Sequence, residues 1–220
     1  MILTRTIKRY LQRKKLRREC EKVTLAGTLP EMIGESHFIL KRGSTKDDII
    51  LGDDVGFFNG CHILSVQHGK IIIGNHVRFQ RNIRLYSVEK IVIGDYTAIS
   101  TNVCITDNNN HPVNPEFRRF MRTTPHSSDA RSWEHSVHKP VIIGENCWIG
   151  ENSRIQKGVT IGDNSIIAAC SVVTKDVPAN CIAAGNPARV VKTGIDKIPA
   201  PTSCKDFNEY IANKQTCNEQ

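Results

Sequence analysis

The stretch VIIGENCWIGENSRIQKGVTIGDNSIIAACSVVTKDVP, residues 141–178, repeats with a period of six. Ile143, Ile149, Ile155, Ile161, Ile167 and Val173 open successive blocks, and the fifth place is small or β-branched in each: Cys147, Ser153, Val159, Ser165, Ser171 and Val177. Neither the 3.6-residue period of a helix nor the alternation of a simple strand produces this pattern. A solenoid whose coil has three short flat faces does, with one hexapeptide per face. The opening aliphatic then fills the interior of the prism, and the fifth residue stays small because it sits inside near a corner. Gly, Asp and Asn gather at the second to fourth places, where the backbone bends and a positive φ is often required.

The same phase extends towards the N-terminus. Leu51, Phe57 and Ile63 open one set, Ile73, Phe79 and Leu85 the next, and Ile93, Ile99 and Ile105 a third. With the sets starting at Ile143 and Ile161, five coils are expected, beginning 22, 20, 50 and 18 residues apart. The small surpluses fall at corners near Gln67–Lys70 and Ser87–Glu89. The 50-residue step carries an insertion at 106–139, polar and proline-containing, that abandons the period. Loops of that length in a compact fold are usually functional or disordered, and the specific sequence of its junction at Asp107–Pro115 favours function. Residues 23–48 read as a partial coil over the open end, and the segment after Val177 as a short exit from the last coil. The organisation expected is a basic helix at 1–22, a β-solenoid domain at 23–192 and a tail at 193–220, with a short helix near Phe207–Ala212.

The chain has 220 residues, is 39% hydrophobic and 6% aromatic, and carries a formal charge of +8. A core of stacked Ile and Val needs few aromatic rings. The first 22 residues hold nine basic and two acidic side chains, which is +7 of the +8. The remainder is close to neutral, so no basic stripe along the solenoid argues for nucleic acid. In the N-terminal segment, Ile2, Leu3, Ile7, Tyr10, Leu11 and Leu16 can share part of one helix side. Two readings follow: a solvated helix against the solenoid or a neighbouring subunit, or a peripheral contact with an anionic membrane surface. Eight cysteines stand far apart, with no C-x-x-C pair. They read as reduced structural thiols in a cytoplasmic protein, at most peripheral at the inner face of the membrane. No run approaches the roughly 18 apolar residues that would span a bilayer, and the N-terminus lacks the apolar core of a signal peptide.

Four features together resemble the hexapeptide-repeat acyltransferases, in the branch that contains maltose, galactoside and polysaccharide O-acetyltransferases. These are the hexad array, T-D-x-x-x-H-P-V-x-P-E at Thr106–Glu116, I-G-E-N-C-W-I-G at Ile143–Gly150, and V-V-T-K-D-V-P…A-G-N-P-A-R-V across Val172–Val190. They cover about residues 50–192. The array alone is less specific, because zinc-dependent carbonic anhydrases and purely structural solenoids share it. The resemblance implies an all-β, left-handed parallel β-helix that forms homotrimers with active sites between adjacent subunits. The left hand comes from the resemblance alone, since parallel crossovers are overwhelmingly right-handed. It also implies acetyl-CoA as co-substrate, a carbohydrate acceptor and no requirement for metal.

Acetyl transfer from a thioester to a hydroxyl needs a base, and histidine titrates near neutral pH. His111 stands where the family motif places its catalytic histidine, with Glu116 able to orient the ring or merely to solvate the loop. Asn82 matches an acceptor-binding asparagine, although it reads almost equally as a corner residue satisfying its own backbone. Trp148 matches the tryptophan walling the acceptor end, and its hexad phase points it outward. For acetyl-CoA the resemblance implies Ala168 and Ala169 beside the pantetheine arm, Thr174 and Lys175 at its middle, and Arg189 at the phosphates. Glu151 occupies a place where the family often has Gly or Ser; its backbone N–H is still a candidate for the oxyanion. His126, Trp133, Glu134, His135 and His138 read as acceptor-shaping or loop-folding residues. The alternatives are an acetyltransferase for a non-sugar acceptor, such as an antibiotic or serine, a zinc-dependent hydratase and a non-catalytic scaffold. The hydratase would need His62, His68 and His76 or others to converge.

Overall fold

The computed structural model describes residues 2–217. Three parallel ladders of short strands wind along a common axis, in sheets of six, eight and six strands, here faces A, B and C. The period-six openers fall in register from coil to coil. Face A stacks Leu51, Ile73, Ile93, Ile143 and Ile161. Face B stacks Phe57, Phe79, Ile99, Ile149, Ile167 and Ala183. Face C stacks Phe38, Ile63, Leu85, Ile105, Ile155 and Val173. All are buried, and each fully buried aliphatic or aromatic side chain contributes roughly 1.5–3 kcal/mol. Ser153, Ser165 and Ser171, at fifth places, are buried too; Ser165 Oγ–H donates to the Pro178 carbonyl at 2.7 Å, so its burial leaves no hydroxyl unpaired.

The corners explain the polar part of the hexad. Asn82, Asn102 and Asn152 hold φ near +60° at the corner between faces B and C, and Asn146, Asn164 and Asn180 do so between A and B. Asparagine tolerates the left-handed region better than most residues. Stacking adds a second reason: the side-chain amides run as ladders, Asn146 to Asn164 and Asn164 to Asn180, each at 3.0 Å.

Both ends differ from the sequence expectation. Residues 23–48 make a complete sixth coil through Thr24–Leu25, Glu31–Met32 and His37–Lys41, rather than a partial one. Its apolar places, Leu25, Met32 and Phe38, are spaced seven then six, and the next opener, Leu51, comes thirteen later, which hides the period. The exit from the last coil is an antiparallel hairpin, Cys181–Gly185 with Ala188–Thr193, which caps face B and ends the parallel ladder. Helix α1 (Ile2–Cys20) closes the opposite end: Cys20 is buried, and the Glu19 carboxylate accepts the Phe38 N–H at 2.9 Å. Of its expected apolar strip, Ile7, Tyr10 and Leu11 are exposed, while the side chains of Ile2 and Leu3 lie outside the described residues. Helix α2 (Pro115–Thr123) belongs to the insertion, and helix α3 (Lys205–Cys217) is longer than the short one expected.

Buried thiols behave as structural groups, burial pushing the Cys61 and Cys147 thiols up and that of Cys20 to about 11. Asp48 is buried at the base of the corner between faces C and A. Burial alone would raise its pKa, but hydrogen bonds from Lys70 Nζ (2.6 Å), the Thr45 N–H (2.7 Å) and His68 Nδ1 (3.2 Å) outweigh that and hold it below the usual carboxylate range. A depressed native pKa stabilises the fold above the unfolded value, about 4, and that contribution disappears as pH falls through the native value. Urea unfolding at pH 7 and through pH 4 to 2 should show stability falling only in the acid window. Asp48→Asn should be less stable than wild type at pH 7 and flatter across that window; an unchanged slope would mean Asp48 does not drive the acid loss.

Candidate active site

The insertion is folded rather than loose, and one carboxylate fixes its root. Asp107 is fully buried and accepts from Ser87 Oγ (2.7 Å), the Val88 N–H (3.0 Å) and the Glu89 N–H (2.8 Å), closing the corner of the preceding coil. The return strand is tied to the same place: the Lys139 N–H donates to the Asp107 carbonyl at 2.8 Å, and His138 Nδ1 lies 2.7 Å from Glu89 Oε2. Between these ties the chain forms α2, whose N-cap Asn114 accepts the Phe117 N–H at 2.8 Å ahead of a proline at the first turn. The N-P-E at 114–116 is a helix start that stands outside the hexad period. The rest of the insertion folds back over the lower coils, Trp133 packing on Tyr86 at 5.9 Å and Glu134 accepting from Gln67 at 2.6 Å. Trp133, Glu134 and His138 therefore fold the loop.

His111 stands four residues beyond this anchor, exposed, and makes no hydrogen bond among the described residues. Glu116, in the first turn of α2, is exposed as well and does not hydrogen-bond His111. Glu116 lines an open depression of about 620 Å³ with Pro112, Asn114, Phe117, Phe120 and His135. His126 is exposed near the tip.

A second hollow, also about 620 Å³, lies on face B and its corner with face C. Trp148, Gly150, Glu151, Ala168 and Ala169 line it, with Ser100 and Thr101 among their neighbours. Trp148 is 54% exposed and its Nε1–H donates to Ser100 Oγ at 3.1 Å, which stands the ring as a wall at one end. The floor is small because the coils touch there: a Cβ at Gly150 would stand 2.6 Å from the Ala169 nitrogen. The corner N–H groups of Thr101, Glu151 and Ala169 donate to no partner among the described residues, leaving a column of amide donors along the rim. Arg189 belongs to the same sheet, in the hairpin strand, exposed and donating to the Ala188 carbonyl at 2.8 Å.

Four of the ten expected site residues thus meet in one hollow, and Arg189 joins them on the same sheet. Thr174 and Lys175 do not; they are exposed just past the last face C strand, at the corner between C and A. The insertion bearing His111 leaves from that same edge two coils below. In a triangular prism this edge lies opposite face B. Asn82 is on the same corner between B and C as the face B hollow, two coils below Glu151, where its Nδ2 donates to Asn102 Oδ1 at 3.1 Å. His62, His68 and His76 point from face C, the corner between C and A, and the corner between A and B. Among the described residues, no three His, Cys, Asp or Glu side chains are grouped to hold a metal ion.

The sequence profile described as "Bacterial transferase hexapeptide (six repeats)" matches residues 140–175. Over that segment the chain is similar to the hexapeptide-repeat transferases. Its solenoid is a left-handed parallel β-helix. Galactoside O-acetyltransferase of Escherichia coli K12 is 38% identical over 122 residues, which is 56% of this chain and 53% of that one. The putative lipopolysaccharide biosynthesis O-acetyl transferase WbbJ of the same organism is 32% identical over 138 residues, 60% of this chain and 65% of the relative. The chain therefore spans somewhat more than half the length of these relatives. Among solved structures, the N-acyltransferase AntD of Bacillus cereus superposes with a TM-score of 0.63 at 18% identity, covering 94% of this chain and 97% of its own, a likeness of fold.

Because Asp107 holds the root of the insertion through three donors, Asp107→Ala should release the loop and leave the prism wound. Limited proteolysis should then cut within 108–138 at least about tenfold faster, with little change in far-ultraviolet circular dichroism. Equal cleavage rates would show that the loop holds itself by its contacts to Tyr86 and Gln67.

Proposed function

We propose that this chain is an acetyl-CoA-dependent O-acetyltransferase acting on a carbohydrate hydroxyl, in the synthesis of a cell-envelope polysaccharide. The observation that carries the reading is the hollow on face B, walled by Trp148, floored by Gly150, Ala168 and Ala169, and rimmed by unpaired backbone N–H groups. Small side chains with free amides suit a thin amide-bearing arm such as pantetheine. Arg189, farther along the same sheet, suits the phosphates at its far end. The names of the two relatives, a galactoside and a lipopolysaccharide O-acetyltransferase, support the acceptor class.

In this reading His111 takes the proton of the acceptor hydroxyl as its oxygen attacks the thioester carbonyl, with Glu116 close enough in sequence to orient the imidazolium. The Glu151 N–H bonds the oxyanion that forms. Collapse of the tetrahedral intermediate breaks the carbon–sulfur bond, and His111 passes its proton to the departing thiolate. Acetyl ester and free thiol result, with no acyl-enzyme. General-base catalysis is worth about 10²–10⁴ in rate. His111→Ala should lower kcat by that factor while the KM for acetyl-CoA stays within about twofold. A folded variant with near-normal turnover on a panel of oligosaccharides would overturn the mechanism.

The site is shared between chains in a homotrimer. His111, Thr174 and Lys175 project from the edge opposite face B, so in one chain they stand away from the hollow they would complete. Packing the edge of one copy against face B of the next brings both halves to one ligand. Mixing inactive His111→Ala and Trp148→Ala chains in equal amounts by subunit exchange should restore up to about a quarter of wild-type activity, because about one interface in four carries neither defect. Mixed trimers, seen by light scattering, with no recovered activity would sink the shared site.

The exposed Tyr10, Arg13, Lys14, Arg17 and Arg18 surface of α1 supports a peripheral contact with an anionic membrane, where envelope glycans are assembled on lipid. No helix among the described residues is long and apolar enough to cross a membrane.

A further inference from the structure

Coiling assembles a basic column that the linear chain conceals. On the outer side of face C, His37, His62, Arg84, Cys104 and Arg154 stand in register on successive strands, about 4.8 Å apart. No carboxylate belongs to the column. Arg84 and Arg154 are exposed, and their guanidinium groups make no ion pair or hydrogen bond among the described residues. Their counterpart Arg78, on face B, is tied to Asp54 at 2.7 Å. Two arginines and two histidines are too few to follow a nucleic acid backbone.

Beside Arg84 the surface sinks into a hollow of about 460 Å³, lined by Gly60, His62, Asn82, Arg84, Asn102 and Asn152. Its rim is an asparagine ladder with a direction. Asn82 Nδ2 donates to Asn102 Oδ1 at 3.1 Å, and Asn102 Nδ2 to Asn152 Oδ1 at 3.0 Å. The ladder stops at Gly60, where a Cβ would stand 2.4 Å from Asn82 Oδ1. With glycine in that place no side chain donates to the oxygen, so the hollow holds one unused carbonyl acceptor next to one unused guanidinium.

We propose that this hollow binds an acid-bearing sugar: Arg84, backed by His62, takes a carboxylate or phosphate on the ring, while Asn82 Oδ1 accepts a ring hydroxyl. A guanidinium matches either oxyanion through paired N–H donors, and a free amide oxygen beside it fits a hydroxyl rather than a second anion. The inference rests on the acetyltransferase reading for its meaning, since it makes the acceptor an anionic glycan. The hollow and the face B site flank one corner, Asn102 and Asn152 directly following Thr101 and Glu151 in the chain.

The test is binding, measured by calorimetry on the full chain with tri-galacturonate, its methyl ester, a neutral galactotriose, and galactose 1-phosphate against galactose. Acetyl-CoA binding is measured in parallel. A hydrogen bond to a charged group is worth about 10- to 100-fold in affinity. Tri-galacturonate should therefore bind that much more tightly than its ester, Arg84→Gln should erase the difference, and Arg84→Lys should retain part of it. Raised salt should narrow the gap. If only the sugar phosphate gains over its neutral partner, and Arg84→Gln removes that gain, the anion recognised is a phosphate. Equal binding of charged and neutral sugars, or a preference that survives Arg84→Gln, overturns the proposal. Either result with intact acetyl-CoA binding leaves the acetyltransferase reading standing. A charge preference lost with Arg84→Gln in a protein that never binds acetyl-CoA would instead sink that reading and keep the subsite.

Discussion

Everything in this molecule hangs on the in-register stacking of one apolar residue per hexapeptide inside a narrow prism. Ile149, for example, is packed between Ile99 below and Ile167 above, and all three are buried. Each contact is between neighbours in the stack, so a coil is stabilised mainly by the coils above and below it. The consequence for function is regularity. Any outward place on a face repeats along the axis, and the protein acquires columns of side chains at a spacing set by the backbone. The site is built by exploiting such columns and by breaking them at chosen points.

Two breaks matter. One is the insertion, which leaves the solenoid at a corner and would be a liability if its root were free. Asp107 prevents that by substituting its carboxylate for the missing backbone partners of Val88 and Glu89, so the stack continues past the excursion. The other is chemical rather than topological: the asparagine ladder at the corner between faces B and C ends where Gly60 replaces the next side chain. Regular ladders consume their own hydrogen-bonding capacity, and only a terminus presents an unused group. The free amides of the face B rim follow the same logic, since that corner place needs no backbone partner in any coil.

A division of labour between edge and face follows from the triangular section. His111, Thr174 and Lys175 sit on one edge, whereas Trp148, Glu151, Ala168 and Ala169 gather on the opposite face. A β-helix of this width has no interior cleft, because its core is filled by the stacked openers. A deep site on such a scaffold is made most simply between copies, which is why the placement of residues in one chain bears on assembly.

The hexads between Leu51 and Val177 were legible because burial imposes a period on composition, and a period survives in the linear text. The outward phase of Trp148 followed from it, whereas Ala168 and Ala169 were implied only by the family resemblance. The sixth coil escaped, since Leu25, Met32 and Phe38 are unevenly spaced at an end where corner lengths vary. Helix α2 is written in N-P-E, a start signal too short to stand out where no period of its own follows it. The charge column through His62, Arg84 and Arg154 could not be read at all: these residues lie 22 and 70 positions apart, and only the coil lengths, including the insertion, bring them into line. Sequence determined what packs inward, because apolar burial acts residue by residue. Tertiary structure decided what meets on the surface, because register between coils depends on the sum of every corner in between.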